Sequence, residues 1–92
     1  MGFEWDEESK AGVNFLKHGV RMPEAIPVLD DPFAITITDD ESDPGEQRFV
    51  TLGVGAAGRL LVIVYTWRGG NIRIISARPA EAHEREEYEA ER

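Results

Sequence analysis

The stretch 59–78 constrains the fold more than any other part of the chain, because it holds two apolar runs around a turn signal. Leu60–Trp67 and Ile72–Ala77 are rich in β-branched and aromatic residues, which favour strands. Between them lies the sequence Arg-Gly-Gly-Asn, whose glycines accept the positive φ angles of a tight hairpin turn. We therefore predict a β-hairpin whose two-residue turn is either Gly69-Gly70 or Gly70-Asn71.

Both turns lead to the same assignment of side chains to the two faces of the hairpin, because neighbouring residues of a strand point to opposite sides. One face is predicted to carry Val62, Val64, Thr66, Arg68, Arg73, Ile75 and Ala77. The other is predicted to carry Leu61, Ile63, Tyr65, Trp67, Ile72, Ile74, Ser76 and Arg78. Because both faces are largely apolar, the hairpin is expected at the centre of a sheet that is covered on both sides. The arginines at the ends of this core-like element need an explanation.

The remaining elements are predicted from periodicity and from helix-start and helix-stop residues. They are a strand at Phe3–Trp5, a helix at Asp6–His18 closed by Gly19, a short helix at Arg21–Leu29 interrupted by Pro27, strands at Ala34–Thr38 and Arg48–Gly53, and a charged helix at Ala80–Glu91 after Pro79 ends the hairpin. This order predicts an α+β domain over residues 1–92, with a mainly antiparallel sheet of four to five strands, two N-terminal helices and one C-terminal helix.

Composition excludes several classes of protein. With no cysteine, the chain forms neither a disulfide framework nor a thiolate metal site. No apolar run approaches the roughly 20 residues of a membrane-spanning helix, and the acidic N-terminus does not resemble a signal peptide. We therefore expect a cytoplasmic protein without a membrane partner.

The basic charge is concentrated on the predicted sheet. The chain has a net charge of -8, yet residues 46–80 hold five arginines against one acid. Residues 1–45 hold eleven acids against three basic residues, and residues 81–92 hold six against two. Arginine presents a planar fork that suits phosphate or carboxylate. These arginines either pair with the surplus acids of the chain or bind an external anion.

No familiar metal or nucleotide motif is complete. The acidic loop Asp39–Gly45 resembles a calcium loop, but Pro44 stands where the sharp turn needs glycine. The glycines at 53, 55 and 58 run between two strands, whereas a dinucleotide loop leads into a helix. A solvated loop and a flexible connection are the simpler interpretations. A small metal-binding module built on the acidic loop is kept as a weaker hypothesis beside those that follow.

The remaining chemical groups are arginines with a tyrosine, a histidine and a glutamate. This inventory suits phosphodiester cleavage without a metal, because arginines can neutralise the charge that develops on a scissile phosphate. A neighbouring side chain would then transfer a proton. In RNA the 2′-hydroxyl serves as the nucleophile, so the protein need not supply one.

Short segments in order along the whole chain are similar to those of a known family. They are Phe3-Glu4-Trp5-Asp6, Asn14, Lys17-His18-Gly19, Asp30-Asp31-Pro32, Gly45-Glu46-Gln47-Arg48, Val64-Tyr65-Thr66, Arg73-Ile74-Ile75-Ser76-Ala77-Arg78, Glu84-Arg85 and Tyr88. The chain resembles the BrnT toxins, which implies a RelE-like fold and a ribonuclease toxin of a type II toxin–antitoxin pair that inhibits translation by cleaving RNA. It implies no cofactor.

The resemblance also implies partners. They are an RNA substrate and a BrnA-type antitoxin with a ribbon-helix-helix domain, which forms a hetero-oligomer with the toxin. DNA is then contacted only through the antitoxin, when the complex represses its own operon.

Site residues follow from the resemblance by matching position. The catalytic candidates are Arg73, Arg78, His18, Glu84 and Tyr88, and the RNA-phosphate candidates are Lys17, Arg48 and Arg68; no metal ligand is implied. In this hypothesis arginines hold the phosphate, Tyr88 or His18 transfers protons, and Glu84 orients an arginine. Arg68 and Arg73 share one end of the hairpin and Arg78 lies at the other, so the three arginines are not expected to contact one scissile phosphate together. Arg73 and Arg78 are ranked ahead of Arg68.

The chain departs from the family pattern in two respects. Pro79 stands where a basic residue is usual, and the last helix is acidic where members are commonly rich in lysine and arginine. Acidic charge repels RNA, since phosphate neutralisation supplies most non-specific affinity. The alternative hypothesis is therefore a non-catalytic, decayed toxin that still binds a ribbon-helix-helix antitoxin.

Overall fold

A computed structural model describes residues 2–39 and 46–90, and these form one five-stranded sheet with helices on both faces. The strands are β1 (Phe3–Glu4), β2 (Ile35–Asp39), β3 (Arg48–Val54), β4 (Leu60–Arg68) and β5 (Asn71–Pro79). Their order across the sheet is β1-β5-β4-β3-β2, and all neighbours are antiparallel except β1 and β5. The predicted α+β class with a mainly antiparallel sheet is confirmed.

Gly69 and Gly70 form the turn of the central hairpin. Their φ angles are 57° and 86°, a region that residues with a Cβ rarely adopt. Thr66 consequently lies opposite Arg73, and Arg68 lies opposite Asn71. Of the two predicted turns, Gly69-Gly70 is the one that forms.

A β-bulge at Ile75 changes which side chains share a face. Tyr65 pairs with Ile74, but Val64 pairs with Ser76, so Ile75 is an extra residue on β5. Beyond the bulge, Ala77 pairs with Ile63, and Arg78 pairs with Val62. The predicted faces of residues 76–78 were therefore wrong, because strict alternation does not allow for the inserted residue.

The N-terminal helical segments differ from ideal α-helices. The first begins as a π-helical turn at Glu7–Ala11 and continues as α1 (Gly12–His18), which ends at Gly19 with φ 69° as the sequence predicted. The second is a 3-10 helix at Met22–Asp30 that contains Pro27. Proline has no backbone N–H to donate, so it interrupts regular α-helical hydrogen bonding. The C-terminal helix, α2, spans Ala82–Ala90, and Pro79 ends β5 as its last residue.

The larger core lies between the sheet and the N-terminal helical segments. Its buried members are Val20, Met22, Ala25, Val28, Leu61, Ile63, Tyr65, Ile72, Ile74 and Ala77. Asn14 of α1 ties this layer to β5: its amide nitrogen donates to the carbonyls of Val20 and Ala77 at 2.8 and 2.9 Å, and its oxygen accepts from the Ala77 amide at 3.0 Å.

The smaller core lies on the opposite face of the sheet, under α2. Tyr88 packs there with Leu52, Leu60 and Val62. The sheet is thus covered on both faces, although α2 covers only part of its own face. Among residues 2–39 and 46–90, no helix is long and apolar enough to cross a membrane. Most of the predicted acidic loop, residues 40–45, lies outside the described residues.

Candidate functional site

Three arginines lie near one another on the α2 side of the sheet, close to the hairpin turn. Backbone pairing aligns Arg48 of β3, Thr66 of β4, Arg73 of β5 and Glu4 of β1 in one row, which we call the tip row. Beyond this row, Asp39 of β2 pairs with Arg48. Paired residues share a face, and strands lie about 4.8 Å apart, so the Cα atoms of Arg48 and Arg73 are about 10 Å apart. Arg68 follows Thr66 by two residues and points to the same side.

Two of these arginines lie beside carboxylates of the protein. Arg73 Nη1 lies 3.3 Å from a carboxylate oxygen of Glu4, and Arg48 Nε lies 4.0 Å from Glu46. Arg68 is exposed and has no ion pair among the described residues. Arg68 therefore presents its positive charge to solvent beside the tip row, although the chain as a whole is acidic.

An apolar strip adjoins the tip row. The neighbouring row of paired residues on the same face, further from the hairpin turn, consists of Ile37, Val50, Val64 and Ser76. All four side chains are at least partly exposed, and Ile37 is 61% exposed. Glu84 and Glu87 of α2 line a shallow pocket with Ile37 and Val50, so α2 borders this row. We call these two rows, together with Arg68, the open sheet face: Glu4, Ile37, Arg48, Val50, Val64, Thr66, Arg68, Arg73 and Ser76.

Arg78 stands at the far boundary of the open sheet face, where α2 begins. Its Nη1 and Nη2 each donate to one oxygen of Glu84 at 2.8 Å, and the backbone amide of Glu81 also donates to Glu84 at 2.8 Å. Hydrogen bonding from Arg78 lowers the pKa of Glu84 to about 2, and the same bonding raises the pKa of Arg78. Glu84 is therefore a permanent carboxylate at neutral pH and holds the guanidinium in one orientation.

Tyr88 is buried, and its hydroxyl is engaged. It donates to Asp31 Oδ2 at 2.5 Å, and Asp31 also accepts from the backbone amides of Val54 and Phe33, each at 2.9 Å. Asp31 follows the 3-10 helix, so it joins that helix to β3 and α2. This position suits an anchor for α2.

Lys17 and His18 lie on the other side of the sheet from the arginines. They end α1, which contacts β5 through Asn14 and Ala77. Ala77 belongs to the larger core, whereas Arg78 points towards α2. The structure therefore brings Arg48, Arg68 and Arg73 together, places Arg78 roughly 15 Å further along β5, and separates Lys17 and His18 from all four.

Glu4, Thr66 and Asp31 occupy positions that the sequence analysis did not assign to the site. Glu4 and Thr66 belong to the tip row, and Asp31 anchors Tyr88. The segments Phe-Glu-Trp-Asp and Asp-Asp-Pro were recognised, but only the pairing of β1 with β5 places Glu4 beside Arg73. Within residues 2–39 and 46–90, no group of three or more acidic or histidine side chains could hold a metal ion.

Comparisons with known proteins give one family model and one similar solved structure. The family model described as "Ribonuclease toxin, BrnT, of type II toxin-antitoxin system" matches residues 5–84. The crystal structure of the Brucella abortus ribonuclease toxin BrnT superposes with a TM-score of 0.68 at 21% identity, over 88% of this chain and 97% of that chain. At this identity the superposition supports the fold alone. No curated protein matches the sequence significantly.

The family model extends over most of the chain and includes the tip row from β3 to β5, Arg78 and Glu84. The chain therefore belongs to the BrnT family of ribonuclease toxins of type II toxin–antitoxin systems.

Proposed function

We propose that this toxin is a metal-independent endoribonuclease that binds and cleaves RNA on the open sheet face in the cytoplasm. Membership of a type II toxin family implies an antitoxin partner. We assign that role to a BrnA-type ribbon-helix-helix protein, so that the toxin contacts DNA only through the antitoxin.

One observation carries the proposal: the bulge at Ile75 places Arg78 on the same face as Arg48, Arg68 and Arg73. Without the inserted residue, alternation would direct Arg78 into the opposite face. Arg48 and Arg73 flank the partly exposed apolar row on one side, and Arg78 flanks it on the other. Arg68 lies one row beyond Arg73, next to the turn. Arginine side chains bind phosphate oxygens, while an apolar surface can pack against the bases of single-stranded RNA.

The arginines in this arrangement supply electrostatic stabilisation. The RNA 2′-hydroxyl loses its proton and attacks the adjacent phosphorus. The bond to the 5′-oxygen of the next nucleotide breaks, that oxygen takes a proton from water, and a 2′,3′-cyclic phosphate forms. Extra negative charge develops on the phosphoryl oxygens during this step, and fixed guanidinium groups stabilise it. Because Arg73 and Arg78 lie roughly 15 Å apart, one stabilises the scissile phosphate and the other holds a flanking one.

Glu4 is our candidate for the proton acceptor. Its carboxylate lies beside Arg73 in the tip row, 3.3 Å from the guanidinium, so a phosphate bound there would bring the 2′-hydroxyl close to it. Glu84 is less suitable, since its oxygens accept three hydrogen bonds of 2.8 Å from Arg78 and the Glu81 amide. The bonds that Glu4 accepts from Arg73 and Asn71 are longer, at 3.3 and 3.5 Å. Tyr88 would have to give up its hydrogen bond to Asp31, and His18 lies across the sheet.

The test is RNA cleavage by the purified toxin together with growth after induction without the antitoxin. We expect cleavage in the presence of EDTA, growth arrest with the wild type, and loss of both effects in Arg73→Ala. Arg21→Ala is the matched control, because Arg21 stacks on Phe15 on the α1 side at 4.2 Å from the ring centroid.

Two outcomes would contradict the proposal. Normal growth at confirmed expression, together with tight antitoxin binding, would identify a decayed toxin that only binds its partner. Cleavage that EDTA abolishes and a divalent cation restores would indicate a metal site instead.

A further inference from the structure

Helix α1 exposes apolar side chains that the fold does not use. Leu16 is 86% exposed and Val13 is 60% exposed, and they are three residues apart, so they lie on one side of the helix. Phe15 on the adjoining side is 39% exposed. Neighbouring exposed apolar side chains of this size on a short helix are typical of a surface that a partner covers.

The same stretch carries the opposite charge to the rest of the N-terminal half. Residues 10–21 contain Lys10, Lys17 and Arg21 and no acid, in a chain of net charge -8. All three basic side chains are exposed, and none has an ion pair among the described residues. Oppositely charged surfaces steer partners together and set their register, so this stretch selects an acidic partner.

A groove beside α1 can receive a large side chain. It has a volume of about 330 Å³, and Trp5, Phe15, Arg21, Met22 and Pro23 are among its lining residues. The acid in its wall, Glu7, accepts a hydrogen bond from the Trp5 indole. Aromatic side chains, methionine and arginine are the residue types enriched at the centres of protein interfaces.

We propose that the outward side of α1, formed by Val13, Leu16 and Lys17 with the adjoining groove, docks an apolar, acid-flanked segment of the antitoxin. This inference rests on the family's type II toxin–antitoxin membership and deepens the proposed function by locating the partner's contact. The docking surface lies across the sheet from the open sheet face, so the two surfaces can be altered independently.

The test measures binding of the full-length toxin to the protein encoded by the antitoxin gene next to its own. Leu16→Glu should raise the Kd at least about tenfold, because it places a charge at the centre of the contact and repels acidic flanks. Leu16→Met is the matched control and should stay within about twofold. Lys17→Glu should also weaken binding, and added salt should weaken binding of the wild type.

Leu16 is largely exposed, so its substitution should leave the melting temperature and the RNA cleavage of the free toxin unchanged. In cells, the antitoxin should no longer neutralise Leu16→Glu. An unchanged Kd for Leu16→Glu would overturn the inference. So would a dimer of the wild-type toxin that Leu16→Glu dissociates, because this surface would then bind a second copy. Loss of RNA binding in Leu16→Glu would likewise overturn it, because this surface would then bind RNA. Failure of the wild type to cleave RNA would instead count against the proposed function and leave the binding measurement intact.

Discussion

Arg78 and Glu84 form a two-point ion pair, with each terminal guanidinium nitrogen 2.8 Å from one carboxylate oxygen. The pair joins the end of β5 to the first turn of α2. Glu84 also accepts from the Glu81 amide, which satisfies one backbone donor at the start of the helix. The carboxylate thus orients an arginine of the candidate site and caps α2.

Glu84→Gln should lower the free energy of unfolding by about 1 kcal/mol, because it replaces charge-assisted hydrogen bonds at a site that solvent partly screens. Urea unfolding at pH 7 measures this difference. Glu87→Gln, on the same helix and exposed, is the control and should change stability by less than about 0.5 kcal/mol.

The Glu84 contribution should depend on pH in a defined direction. The pKa of Glu84 is about 2 in the folded protein, below its ordinary value of 4.5, so folding favours the ionised form. Its contribution is complete above pH 4.5 and is lost as the pH falls towards 2. The stability difference between the wild type and Glu84→Gln should therefore shrink over that range; a difference that grows on acidification would contradict the assignment.

Alanine at Arg48, Arg68 or Arg73 should weaken RNA binding and reduce its salt dependence. For a single-stranded RNA, each lost phosphate contact lowers the slope of log K against log salt by about 0.7. Arg68→Ala is the cleanest variant, because no described residue forms an ion pair with Arg68. Fluorescence anisotropy at several salt concentrations gives the slopes. An unchanged slope in all three variants would show that RNA binds to another surface of the toxin.

Glu4→Gln should reduce kcat for RNA cleavage by about 10²-fold or more if Glu4 accepts the proton. Because a negative charge is removed beside bound RNA, KM should stay the same or fall. Single-turnover cleavage at saturating enzyme separates the two effects. A raised KM at unchanged kcat would show that Glu4 only positions Arg73.

Tyr88→Phe should leave cleavage within a few fold of the wild type and should destabilise the fold. The lost hydroxyl removes a hydrogen bond to the charged Asp31, which contributes about 1.5–3 kcal/mol. Thermal unfolding and a cleavage assay on the same preparation test both parts. Loss of cleavage at intact stability would restore Tyr88 as the proton-transfer group.

Asn14→Ala should be among the most destabilising single substitutions in the chain, by about 2–4 kcal/mol. It deletes three hydrogen bonds and leaves the amide and carbonyl of Ala77 buried without those partners. Lys10→Ala, at an exposed position before α1, is the control and should change stability by less than about 0.5 kcal/mol. Chemical denaturation at neutral pH measures both variants.

Local chemistry made much of the fold predictable. The Gly69-Gly70 turn and the Gly19 helix end follow from the positive φ angles that glycine accepts, and the strands follow from runs of β-branched residues. The concentration of arginine on the sheet was visible in the charge distribution alone. These features depend on neighbours in the chain, so the sequence was sufficient to predict them.

Contacts between distant residues decided how the site is assembled. Asn14 bonds to Ala77, Glu4 to Arg73, and Tyr88 to Asp31. The residues of each pair are far apart in sequence, so the local hydrophobic pattern does not predict these contacts. The bulge at Ile75 reversed the predicted faces of residues 76–78, because the β5 register must satisfy β4 on one side and α1 on the other.

The sequence by itself thus determined an α+β chain with a glycine-turned hairpin and arginines at its ends. Only the tertiary structure decided that Arg78 shares a face with Arg48, Arg68 and Arg73, and that Lys17 and His18 lie behind them. The physical reason is that one inserted residue reverses every later side chain of a strand, and whether it is inserted depends on packing across the whole sheet.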